Sequence, residues 1–264
     1  MSEAEEFLKK GLWHGGFIDS YPLAPVSWSS YTNTGFVSLF HAAYLACIKP
    51  FVHAGTVALE IGPGRGAWTK AIFQSGASKV IAVDVYDREH NGIDIYLGSY
   101  AERLEYLQIT TADLSSIDDS SCNYFCSFGC FVHLSPDLQA RYFRAIYSKL
   151  HAGAEGFVQV ADADQWNKVC SDESLRIDNV LRAKDINGVI PENDWEAFGL
   201  LNGIKPRELV GISSREWTAI DPGRYFYIGV ENAGELIRQA GLEVVDLSFI
   251  PSWRDPVIRF RKPA

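Results

Sequence analysis

The chain has 264 residues, 47% of them hydrophobic, with a net charge of -9 and a pI near 5.2. That length buries the core of one large α/β domain with a modest cap, and the acidic balance disfavours a surface built to neutralise nucleic-acid phosphates. The opening MSEAEEFLKKG lacks an apolar signal core and no apolar run approaches the ~20 residues that cross a bilayer, so a cytoplasmic protein without a membrane partner is expected.

Residues 2–10 are predicted as a polar helix. Residues 11–32 interleave Trp13, Phe17, Tyr21, Trp28 and Tyr31 with Pro22 and Pro25, a mixture that no regular strand or helix sustains throughout. Asn33 or Thr34 is placed to cap a helix reaching about Ile48, with Phe36, Leu39, Phe40 and Ala43 on one face and Pro50 as its stop. From there strand, turn and helix alternate. Strands are predicted at 56–61, 79–84, 106–111, 123–129 and 156–161, and helices at 66–75, 98–104 and 136–150. The last helix has Pro136 in its first turn and a stripe of Leu138, Tyr142, Ile146 and Leu150.

This rhythm predicts a doubly wound, mostly parallel α/β sheet covered on both faces. Residues 162–224 interrupt it with Trp166, Trp195 and Trp217 among glycines and prolines, and are read as an insertion over the sheet with a helical candidate near 171–184. A helix at 231–240 stopped by Gly241, a strand at 242–250 and a last strand at 256–262 follow. Only PSWRD separates those strands, too short for a parallel crossover, so the sheet ends in a reversed hairpin. The expected organisation is one domain: an N-terminal helical and lid segment (1–50), a cofactor-binding core (51–161), a cap (162–224) and a C-terminal completion of the core (225–264).

The run CNYFCSFGCF sets Cys122, Cys126 and Cys130 four apart. On one strand such residues share a face at ~13 Å spacing, too far to ligate one ion, and they are read as small buried apolar groups. Five cysteines without an export signal also argue against a disulfide framework. No metal is expected, because His14, His41, His53, His90 and His151 lack partners at ligand spacing.

The chemistry gathers at VALEIGPGRGAWTKAI, residues 57–72, where an apolar strand ends in Glu60, passes Gly62, Pro63, Gly64 and Gly66, and becomes helical. Glycines allow a ligand close to the backbone, and the following helix directs its free amides and positive dipole end toward it. GPGRGA also satisfies the dinucleotide pattern G-x-G-x-x-G/A, so an NAD(P)-dependent oxidoreductase competes at this point. Asp84, closing the second strand, suits the two hydroxyls of a ribose in either ligand class.

Glu60 before the turn, Asp84, Asp113 in TTADL and the reversed final strand together resemble the class I methyltransferases that use S-adenosylmethionine. Within that family EIGPGRGAWT and SFGCFVHLSPD are most similar to bacterial small-molecule and sugar O-methyltransferases. The resemblance implies a Rossmann-like sheet with S-adenosyl-L-methionine as cofactor. Glu60, Gly62, Pro63, Gly64, Gly66, Trp68, Asp84, Asp113, Leu114, Ser127 and Phe128 would hold it, Asp113 beside the adenine. His133, in the VH pair after the fourth strand, would be the base.

A sulfonium methyl is already electrophilic, so the protein's task is to align an acceptor and remove a proton from a hydroxyl. An imidazole is suited to the latter. The expected partner is a small-molecule acceptor, a glycoside or natural product, methylated on a hydroxyl, with a small-molecule N-methyltransferase as the alternative. Trp13, Tyr31, Asp162 and Trp253 are candidates to contact it, the aromatics by stacking. Asp162 stands equally well as a loop cap.

Overall fold

The computed structural model describes residues 26–28, 35–37, 39–162, 226–250 and 255–264. A short antiparallel ribbon of β1 (Val26–Trp28) and β2 (Gly35–Val37) leads into α1 (Leu39–Ala43), which continues as a wider turn over Tyr44–Ile48. The helix predicted from Asn33 thus begins later, because Gly35–Val37 is engaged in backbone pairing with Val26–Trp28. It still ends ahead of Pro50, as a residue without an N–H and with a fixed φ requires.

The main sheet comprises β3 (Val57–Ile61), β4 (Lys79–Asp84), β5 (Leu104–Gln108), β6 (Cys122–Ser127), β7 (Leu150–Gln159), β8 (Glu243–Ile250) and β9 (Val257–Arg261). Its order is β5-β4-β3-β6-β7-β9-β8. The first five neighbours pair in parallel, and β9 runs antiparallel to both β7 and β8. This is the mostly parallel, doubly wound sheet with a reversed C-terminal strand that the alternation and the short PSWRD linker predict.

Helices α2 (Ala67–Gln74) and α5 (Pro136–Lys149) match their predicted spans within a residue, as does α6 (Val230–Gln239). Ser135 caps α5, its hydroxyl accepting from the Leu138 N–H, with Pro136 in the first turn. The stretch between β4 and β5 departs from expectation. In place of one helix at 98–104 it forms α3 (Arg88–Asn91), α4 (Ile93–Leu97) and a tight turn over Gly98–Arg103. Gly92 and Gly98, both at φ 59°, cut the run into pieces, and β5 starts two residues earlier than predicted.

Strand alternation divides the core in two. On one face Leu59, Ile61, Ile81, Val83 and Phe125 pack against Phe143 and Ile146 of α5 and Ile237 of α6. On the other Ala58, Val80, Ala82 and Cys126 meet Trp68, Ala71 and Ile72 of α2 and the wider turn after α1. Burying each large side chain contributes roughly 1.5–3 kcal/mol before the entropy of ordering it.

The cysteine expectation needs one correction. Cys122 packs in the first core and Cys126 in the second, because the register of β6 against β7 shifts between Cys122 and Tyr124. They are nonetheless buried thiols, and no metal-binding cluster is found among the described residues. Among those residues no helix is long and apolar enough to cross a membrane.

Candidate active site

The chain leaves β3 toward β4 and β5 on one side and later places β6 on the other, so the sheet reverses direction of winding between β3 and β6. Open α/β sheets bind ligands at the carboxyl ends of strands at such a point. A cleft lies there. It is lined by Ile61, Gly62 and Gly64 from the turn after β3, by Val83 to Tyr86 at the end of β4, and by Ile109 and Thr110 beyond β5. Phe128, Gly129, Cys130 and His133 follow from β6, with Leu134 and, from α5, Leu138 and Tyr142.

The turn after β3 departs from ordinary backbone. Gly62, Gly64 and Gly66 adopt φ values of 76°, 52° and 91°, in the left-handed region that side chains disfavour. Gly62 also leaves no room, since a Cβ there would lie 2.7 Å from the Cys130 Sγ. The turn closes with the Gly66 N–H donating to the Pro63 carbonyl at 2.8 Å, and α2 starts at once.

Alternation puts Glu60 and Asp84 on the same face, toward α2. Glu60 is 2% exposed and accepts a 2.6 Å hydrogen bond from the Thr69 hydroxyl. Burial pushes its carboxyl up to about 7, Thr69 opposes this, and the Asp84 charge adds to the rise. Asp84 is buried and lines the cleft. Its carboxylate accepts from the Tyr86 N–H at 2.9 Å and the Gly64 N–H at 3.3 Å, so the acid and the glycine turn hold each other. Burial raises its carboxyl, and these backbone donors counter the rise. The Cys130 thiol is pushed up to about 12, by burial first and then by Asp84, which leaves it protonated at neutral pH.

The glycine turn, an acid closing the adjacent strand, the switch point between β3 and β6 and a reversed β9 occur together in this sheet. No family model matches the sequence, and no curated protein matches it. Solved structures do match in fold. A candidate methyltransferase of Haloferax volcanii, in complex with the methyltransferase activator Trm112, aligns with TM-score 0.53 at 13% identity, over 85% of this chain and 88% of that one. A candidate S-adenosyl-L-methionine-dependent methyltransferase from Methanococcus maripaludis aligns with TM-score 0.51 at 18% identity, over 99% and 92% of the two chains. An S-adenosylmethionine-dependent methyltransferase from Mesorhizobium loti gives TM-score 0.51 at 14% identity, over 84% and 96%. The fold is that of the class I methyltransferases.

Within this fold Gly62, Gly64, Asp84, Phe128 and His133 meet at one cleft. Others stand behind it. Pro63 is buried in the turn, and Glu60 is bonded to Thr69. The Ser127 hydroxyl donates to the Ile61 carbonyl at 2.7 Å, joining β6 to the end of β3. Trp68 is 3% exposed and rests its ring 4.4 Å from that of Phe128, so it backs a cleft residue without lining the cleft. Leu114 is core, and Asp113 is exposed with its carboxylate accepting from the Ser115 N–H at 2.9 Å. Asp162 is 4% exposed and accepts from the Val230 N–H at 2.9 Å, at the first turn of α6. Trp13, Tyr31 and Trp253 lie outside the described residues, as do the helix at 2–10 and nearly all of the insertion.

Several cleft residues escape sequence reasoning. Leu138 and Tyr142 belong to a stripe whose spacing reads only as core, yet both also line the cleft. Thr69 carries no motif of its own. Its signal is positional, as the polar side chain in the first turn of the helix that follows the turn.

Proposed function

We propose that the chain is an S-adenosylmethionine-dependent methyltransferase that methylates a hydroxyl of a small polar acceptor, such as a glycoside or natural product. One observation carries this reading: Asp84 and His133 line the same largely apolar cleft. The donor set fits an adenosyl group. The Asp84 carboxylate would accept from a ribose diol, while Ile61, Val83, Ile109 and Leu138 of the cleft lining would offer apolar surface to a flat purine.

Gly62, Pro63, Gly64 and Gly66 would bring backbone close to the amino-acid end of the cofactor, braced by Glu60 with Thr69 and by Ser127, while Phe128 supported by Trp68 forms the wall. Asp113 and Leu114 are assigned to the adenine side by resemblance, and Asp113 would have to share the carboxylate that now takes the Ser115 N–H. When bound, the cofactor supplies an electrophilic methyl. The chain's own part is to orient the acceptor, keep water away and accept the hydroxyl proton on His133. That imidazole in the cleft favours a hydroxyl acceptor over an amine, which can enter neutral and needs no base. Residues 11–32 and 162–224 are read as the lid, with Trp13, Tyr31 and Trp253 as acceptor contacts and Asp162 as the support of α6, all within one domain.

Titration calorimetry tests the reading. S-adenosylhomocysteine is expected to bind and NADH not to, and Asp84→Asn is expected to weaken binding by about tenfold or more, the scale of a lost charged hydrogen bond. Binding of NADH alone overturns it. Incubation with methyl-labelled cofactor and a fractionated metabolite extract then identifies the acceptor.

A further inference from the structure

We infer that Gln139 is a positioning residue, whose buried side-chain amide clamps the turn that carries His133. The inference deepens the reading of His133 as the base and rests on it. Gln139 lies near the start of α5 and is 0% exposed. Its Nε2 donates to the Phe131 carbonyl at 3.0 Å and to the Leu134 carbonyl at 2.9 Å. Those two carbonyls stand on either side of Val132 and His133. The other bonds of the turn are made by backbone. The His133 N–H donates to the Cys130 carbonyl at 2.9 Å, the Leu134 N–H to the Phe131 carbonyl at 3.1 Å, and the Phe226 N–H to the Val132 carbonyl at 2.8 Å.

Proton counting fixes the direction of the amide. Both partners are carbonyl oxygens, which only accept, so the nitrogen end must face them. Its Oε1 is left buried without a partner among the described residues, an arrangement that lowers stability. Packing does not call for it. Tyr142, Phe143 and Ile146, three, four and seven residues further along α5, belong to the core, and an apolar side chain at 139 would join them with no orphaned oxygen. What the amide adds is direction. Burial of Phe131 and Val132 is favourable in many orientations, whereas two hydrogen bonds fix how the chain enters and leaves the His133 position. Gln139 is not among the residues that line the cleft, so it acts through that turn.

Gln139→Met keeps the length of the side chain and removes both donors together with the orphaned oxygen. In protein labelled with 15N at histidine, hydrogen exchange of the His133 backbone amide is expected to quicken by about tenfold or more in this variant, because the turn opens more often. The resonances of His41, His53, His90 and His151 are expected to keep their positions. With methyl-labelled S-adenosylmethionine and the active fraction of a metabolite extract, the saturated transfer rate is expected to fall about ten- to a hundredfold, the scale of a misplaced reacting group. Affinity for S-adenosylhomocysteine should stay within about twofold. Added to His133→Asn, the substitution is expected to cost nothing further, since the group it positions is gone.

Circular dichroism and thermal melting establish that the variants fold. Gln139→Glu is the second variant and carries the same comparison if Gln139→Met does not fold. Burial holds the new carboxyl protonated, with one hydrogen to give in place of two, so exchange and transfer are expected to fall between wild type and Gln139→Met. Unchanged His133 exchange, an unchanged transfer rate where His133→Asn is impaired, or the same loss of rate with and without His133 each overturns the inference. If His133→Asn transfers methyl groups as fast as wild type, the base reading itself fails and takes the inference with it.

Discussion

Thr69 donates a 2.6 Å hydrogen bond to Glu60 inside the core, fastening the start of α2 to the end of β3 across the glycine turn. The bond opposes a burial that pushes the Glu60 carboxyl up to about 7. An unfolded glutamate titrates near ~4.3, so the folded chain holds this proton more tightly. Stability from the neutral carboxyl is therefore complete below ~4.3 and is lost as pH rises through about 7. Asp84 is raised in the same direction and leaves a residual slope of the same sign. Glu60→Gln is expected to remove roughly 2–3 kcal/mol of the decline in unfolding free energy between about pH 5 and pH 8. Urea denaturation at each pH measures it, and a slope equal to that of wild type contradicts the assignment.

Gly62 is constrained twice, by φ 76° and by Cys130 beside its α-carbon. Gly62→Ala is expected to destabilise the fold by about 1–3 kcal/mol from backbone strain, with a further steric contribution. Combining it with Cys130→Gly clears the neighbour and leaves the strain. The double variant should thus recover part of the loss relative to the sum of the two single changes, as read by chemical denaturation. Strict additivity would show that the contact with Cys130 contributes nothing.

Asp162 offers a contrast between support and substrate contact. Its carboxylate takes the Val230 N–H, one of the free donors at the start of α6. Asp162→Ala is expected to cost about 1 kcal/mol of stability, while Asp162→Asn, which keeps an acceptor, costs less. Cofactor affinity should be unchanged in both. A raised KM for the acceptor with an unchanged melting temperature would instead make Asp162 an acceptor contact.

What the sequence discloses here follows the range of the forces involved. β3, β4, α2 and the hairpin β8–β9 are written in local signals: apolar runs, a glycine turn and a linker too short to cross over. Glu60 and Asp84 stand out because an acid ending a buried strand needs a partner, and the turn supplies one. Gln139 and Thr69 do not stand out, since their partners come from other elements and neither residue type is unusual where it stands. The opposite faces of Cys122 and Cys126 depend on a register shift between β6 and β7, a property of pairing that strict alternation cannot contain. Asp113 shows the same limit: β5 ends at Gln108, so the acid falls in an exposed turn and not directly at a strand end.

His133 closes the short turn Phe131–His133, its N–H donating to the Cys130 carbonyl at 2.9 Å, and Phe131 and Val132 anchor that turn in the core. Packing of Phe131 and Val132 therefore holds the backbone of this turn at the cleft wall. His133→Asn is expected to lower kcat by about 10²- to 10⁴-fold, the range for loss of a positioned base. Affinity for S-adenosylhomocysteine should stay within about twofold, since the imidazole removes a proton from the acceptor and does not grip the adenosyl group. The loss should be relieved for acceptors whose hydroxyl is more acidic, because they need less help to ionise. Should turnover persist undiminished while binding is intact, the acceptor carries no proton to be removed, and a neutral amine replaces the hydroxyl as the group that is methylated.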